Sequence, residues 1–94
     1  MNDEHELHYS FPPARAYALN KLLYGIKSET PLRKRYLADP DGVMTELGLD
    51  AEDQAAMRSG ARDALVARGA HPYLVFMADI RLRADRGQTT YEFF

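Results

Sequence analysis

The residue types that do chemistry are present but scattered. Glu4-His5-Glu6-Leu7-His8 gathers two imidazoles and two carboxylates within five residues. The histidines lie three apart, whereas the helical zinc pattern His-Glu-x-x-His sets them four apart so that both leave one face. Such a stretch can pick up a divalent cation adventitiously, but a built site also needs groups that hold each imidazole in place. It reads as a solvated arm. His71 precedes Pro72 at an expected helix start, where an imidazole can cap backbone donors or touch a partner. No motif pairs it with a second catalytic group. Ser10, Ser28 and Ser59 have no Gly-x-Ser-x-Gly turn around them, and no glycine-rich phosphate loop occurs. Glu46, Asp50, Glu52 and Asp53 fall where helix caps and exposed faces are expected, as carboxylates near helix starts do. With no cysteine in the chain, disulfides, thiolate nucleophiles and thiolate-bound zinc are excluded. No catalytic residue and no metal ligand is assigned to this chain.

Charge and hydropathy narrow the partners. The 94 residues carry a formal net charge of −2, where a nucleic-acid binder would be basic. Arg33-Lys34-Arg35 is the single basic run, and with Arg81, Arg83 and Arg86 it reads as a solvated helix face. The break at Gly60 imitates a helix-turn-helix, yet its second helix would offer DNA only Arg62 and Arg68, with Asp63 beside them. The longest apolar run, Tyr73 to Ala78, is too short to span a membrane. Met1 to Glu6 is acidic where a signal peptide would be basic. A soluble, cytoplasmic protein is expected, binding neither nucleic acid nor membrane.

The elements that would position these groups are helical. Leu19, Leu22, Leu23 and Ile26 recur at i, i+3, i+4 and i+7, which predicts a helix from about Ala14 to Ser28. Tyr17 and Tyr24 flank that stripe. Gly25 inside it could admit a neighbouring helix closely. Thr30 and Pro31 read as cap and first residue of a helix over Leu32 to Ala38. Asp39-Pro40 starts a short helix, Gly48 can end it with positive φ, and Asp50 caps the next, Ala51 to Ser59. Asp53 then stands in for the usual glutamate of a capping box. Ala61 to Arg68 follows, and Gly69 closes it. Pro72 opens the last helix, to about Arg83. There Tyr73, Met77 and Ile80 share a face that Leu74 and Phe76 widen, a broader apolar sector than a surface helix needs. The fold class is therefore all-α: a compact bundle of five or six short helices over residues 11–84. A flexible arm (1–10) precedes it and a tail (85–94) follows. In that tail Tyr91, Phe93 and Phe94 have strand propensity but no partner strand.

Six tyrosines and four phenylalanines exceed what one small core takes comfortably. Together they favour a protein–protein surface, where aromatic residues are enriched.

Four segments, in order, carry a resemblance. Tyr17 to Ile26 (YALNKLLYGI), Leu32 to Asp39 (LRKRYLAD), Val43 to Leu49 with its Leu-Gly-Leu, and the acidic Asp50 to Gln54 resemble the small alpha (LigA-like) subunit of the protocatechuate 4,5-dioxygenase family. The closing Gly69 to Leu74 (GAHPYL) is similar to the small stand-alone members of that family. The resemblance implies a helical, non-catalytic subunit that binds a larger catalytic one. That large subunit would hold non-haem Fe(II) through two histidines and a carboxylate, leaving positions open for O₂ and a catechol-type substrate. The complex would open the ring beside its paired hydroxyls, the extradiol mode, with the small subunit covering the active-site mouth. On this reading Tyr17, Tyr24, His71, Tyr73 and Phe76 are the expected contacts with partner or substrate pocket. The same helical type also resembles leader domains that dock a peptide-modifying enzyme, the alternative function.

Overall fold

The leucine stripe of the first helix becomes the centre of the molecule. In a computed structural model of the chain, which describes residues 16–87, Leu19, Leu22, Leu23 and Ile26 are all buried on α1 (Tyr17–Ser28). Five helices follow: α2 (Thr30–Ala38), α3 (Pro40–Glu46), α4 (Ala51–Ser59), α5 (Arg62–Ala67) and α6 (Pro72–Asp85). The expected all-α bundle is thus found, with no strand among the described residues. The arm, Phe11-Pro12-Pro13, the predicted start at Ala14 and residues 88–94 lie outside the described residues. With them go His5, His8, Tyr91, Phe93 and Phe94.

Local chemistry sets the breaks between helices. An Asp39 carboxylate oxygen accepts the Gly42 N–H at 3.1 Å, and Pro40, which has no N–H to leave unpaired, fills the first turn of α3. Gly48 then adopts φ +86°, which L side chains avoid, and turns the chain toward α4. There Asp50 accepts the Asp53 N–H at 2.7 Å. The start of α2 differs from expectation. Thr30 is already helical, Glu29 takes the cap position without a side-chain bond, and the Thr30 hydroxyl accepts from Arg33 instead. Pro31 fits the second helical position as well as the first, because N–H groups throughout the first turn lack intrahelical partners. At the other end, α6 continues to Asp85, past the predicted stop at Arg83 and into the expected tail.

α1 packs chiefly against α6 and α2. Gly25 permits the second contact: a Cβ there would collide with the Leu32 side chain of α2. Val43 and Met44 of α3, Ala56 and Met57 of α4, Leu65 of α5, and Val75, Ala78 and Leu82 of α6 complete the core. Leu49, just before the Asp50 cap, is buried with them.

Ion pairs correct two expectations. Asp53 is only 3% exposed, and its carboxylate accepts from the Arg68 Nε at 2.8 Å. Arg68 also meets Glu52 at 2.7 Å and Asp50 at 3.0 Å, so it is tied among three carboxylates rather than turned toward DNA. The hydrogen bond to Asp53 raises the Arg68 pKa further above its usual value. Arg33, expected on a solvated basic face, instead clamps two helix ends. It donates to the Ile26 carbonyl at 2.8 Å and to Asp85 at 2.6 Å. Arg35 pairs with Glu46, and Arg83 with Asp79 at 2.9 Å.

One side chain fixes where α6 begins. The Asn20 amide nitrogen donates to the carbonyls of Ala16 and Gly69, both at 3.0 Å. Its oxygen accepts the His71 N–H at 2.8 Å. A single residue of α1 thereby holds the backbone on both sides of Ala70. Asn20→Ala leaves a part-buried N–H and carbonyl unpaired, and a loss of about 1–3 kcal/mol is expected in urea unfolding.

Tyr36 supplies a second test. Burial pushes its phenol pKa above the ordinary value of 10.0, against the opposing pull of Arg86 and Arg58. Below that ordinary value both folded and unfolded chains keep the proton. Above it the unfolded chain loses the proton first, so this group's share of stability declines as pH rises. Tyr36→Phe is expected to remove that part of the alkaline slope, read as urea midpoints of both proteins between about pH 9 and 11.

Candidate functional site

α6 is apolar on two opposite sides. Val75, Ala78 and Leu82 face the core, whereas Tyr73 is 53%, Phe76 58% and Ile80 42% exposed. Tyr73, Met77, Ile80 and Ala84 follow one another at spacings of four, three and four residues. On a helix this makes a single outward stripe. Met77 in it is half-buried and Ala84 exposed. The apolar sector expected on this helix is therefore real, but Tyr73 and Ile80 mark its outer edge rather than its buried one. Asp79, Arg81, Arg83 and Asp85 fall elsewhere around the helix axis.

The neighbouring surface of α1 is also aromatic. Tyr17 is 68% and Tyr24 52% exposed, seven residues apart on one face. The Lys27 ammonium lies 5.4 Å from the Tyr24 ring centroid and 6.0 Å from that of Tyr73, linking the two helices. Lys21 stands 5.8 Å from the Tyr17 ring. Each such exposed cation–π contact contributes only about 0.5–1 kcal/mol, so these lysines orient the rings more than they stabilise the fold.

The five predicted contact residues are thus partly gathered. Tyr24 and Tyr73 meet around Lys27, and Tyr17 extends their face by two turns. His71 caps α6 two residues before Tyr73. Its Nδ1 accepts the Tyr73 N–H at 3.1 Å, so that nitrogen is engaged in structure. Phe76 stands apart, at a groove of about 330 Å³ that Tyr36, Met57, Leu65 and Val75 also line. Sequence reasoning missed this groove, because its walls come from five helices. It also missed Asn20, whose polar side chain beside an apolar stripe was the available signal.

Among the described residues no group of three or more His, Cys, Asp or Glu side chains is placed to hold a metal ion. No histidine–carboxylate or histidine–serine hydrogen bond occurs among them either. The arrangement suits binding: large rings presented from two helices, with cations beside them. No helix among the described residues is long and apolar enough to cross a membrane.

Comparison with known proteins places the chain in a family. No curated protein and no solved structure gives a significant match. Residues 19–91 do match the family described as "Aromatic-ring-opening dioxygenase LigAB, LigA subunit". That span begins in the first turn of α1, takes in α2 to α6 whole and covers well over half of the chain. The chain belongs to the LigA family, the small subunit of aromatic-ring-opening dioxygenases.

Proposed function

We propose that this chain is a non-catalytic small subunit that docks on a large catalytic subunit and covers the mouth of its active site. The large subunit supplies Fe(II) and performs extradiol cleavage of an aromatic diol. The observation that carries this reading is the second apolar side of α6. Tyr73, Phe76 and Ile80 stay in water although the helix already buries Val75, Ala78 and Leu82. Exposed contiguous apolar surface of this kind marks interaction sites.

The chemistry divides between the two chains accordingly. Fe(II), held by residues of the large subunit, would supply the activation of O₂ and the diol. This chain contributes surface. A docked cover keeps bulk water from the reacting ring and holds the substrate in place. Tyr17, Tyr24, Tyr73, Phe76 and His71 are the contacts in this reading, and the rings of Tyr24 and Tyr73 form its centre.

Co-expression with a large dioxygenase subunit from the same genome tests the proposal. The two chains are expected to copurify, and ring cleavage of a catechol panel is expected to fall when this chain is omitted. Tyr73→Ala with Ile80→Ala removes exposed side chains. The double variant is expected to weaken the complex by at least about thirtyfold, a loss typical of central interface residues, while the free chain keeps its helical far-ultraviolet dichroism and still unfolds in one cooperative step. Equal iron-dependent cleavage with and without this chain overturns the proposal.

A further inference from the structure

The groove beside Phe76 has features that a protein-facing stripe does not need. Its apolar wall is made by Leu23, Met57, Leu65, Val75 and Leu82, and the exposed Phe76 ring stands at its edge. Four arginines line it, Arg58, Arg62, Arg83 and Arg86, against a single acidic residue, Asp79. Two of the four are engaged: Arg83 with Asp79 at 2.9 Å and Arg58 with Asp41 at 3.0 Å. The side chains of Arg62 and Arg86 make no hydrogen bond or ion pair among the described residues, so they remain available to a ligand.

Tyr36 is the second, independent observation. The residue is 5% exposed and lines the same groove, yet its hydroxyl has no hydrogen-bond partner among the described residues. Buried hydroxyls are normally paired, and one facing a cavity without an acceptor marks a place where an acceptor fits. Arg58 and Arg86 line the same groove as Tyr36.

We propose that this groove is a binding site for a small carboxylate carrying one apolar ring. The ring lies on the Leu23–Val75–Leu82 wall beside Phe76. The carboxylate takes its hydrogen bonds from Arg62, Arg86 and the Tyr36 hydroxyl. Size and charge together select this class. A volume of about 330 Å³ is at the small end for ligand pockets, which run from roughly 300 to 1,000 Å³ and suit a single ring at that end. Guanidinium groups match the planar, two-oxygen shape of a carboxylate. A polyphosphate would set most of its charge against hydrocarbon, and a cation would meet four positive groups. The groove does not include Tyr17, Tyr24, His71 or Tyr73 and shares only Phe76 with the proposed docking contacts, so titration of the free chain tests it apart from docking.

Nuclear magnetic resonance titration of the full chain with benzoate tests it. Saturable shifts are expected at backbone amides of Tyr36, Arg62, Val75, Phe76 and Arg86. Benzamide, equal in shape but neutral, is expected to bind at least about tenfold more weakly, the scale of a lost charge-assisted hydrogen bond. Arg62→Gln with Arg86→Gln should weaken benzoate by a similar factor. Tyr36→Phe, which keeps the ring, should weaken it less, and neither variant should change the far-ultraviolet dichroism. No saturable shift up to about 10 mM benzoate overturns the proposal, being weaker than any useful affinity on this scale. So does equal binding of benzamide. Saturation of these amides by a glutamate-containing peptide but not by benzoate assigns the groove to a protein segment, and also overturns it.

Discussion

The whole arrangement depends on which side of α6 faces inward. A helix with apolar residues on opposite sides has two comparable ways to dock, so packing alone does not decide between them. The Asn20 clasp does. By holding the Gly69 carbonyl and the His71 N–H against α1, it fixes the path of the chain into α6 independently of the side chains of that helix. The His71 imidazole then sets the first turn through the Tyr73 N–H. At the far end, Arg33 ties Asp85 to the last turn of α1. With both ends held, Val75, Ala78 and Leu82 fall inward, and Tyr73, Phe76 and Ile80 have nowhere to go but out.

Much of the fold is legible in the chain because its helices are short and strongly punctuated. The cap at Asp39-Pro40, the turn at Gly48 and the cap at Asp50 are local events, fixed by neighbours within four residues. The α1 stripe is legible for a similar reason, since its period spans one element. What was not legible is long-range. Nothing near Asp53 announces that Arg68, fifteen residues on, will neutralise it in the core. Arg33 reads as part of a basic run, and only the fold reveals Asp85 and the Ile26 carbonyl as its partners.

The surface tells the same story at another scale. That the rings of Tyr17, Tyr24, Tyr73 and Phe76 are too many for the core follows from counting them. That Tyr24 and Tyr73 come together around Lys27 does not, because the meeting depends on how α1 and α6 cross. Phe76 belongs with Tyr73 by spacing in sequence but borders a different hollow in space. One turn of helix separates two surfaces with different chemistry, one aromatic and flanked by lysine, the other hydrocarbon rimmed by arginine.

The double-sided α6 also leaves every separate copy with an adhesive flank. Molecules made in excess of whatever shelters them leave Tyr73, Phe76 and Ile80 wet, and like surfaces on neighbouring copies then attract one another.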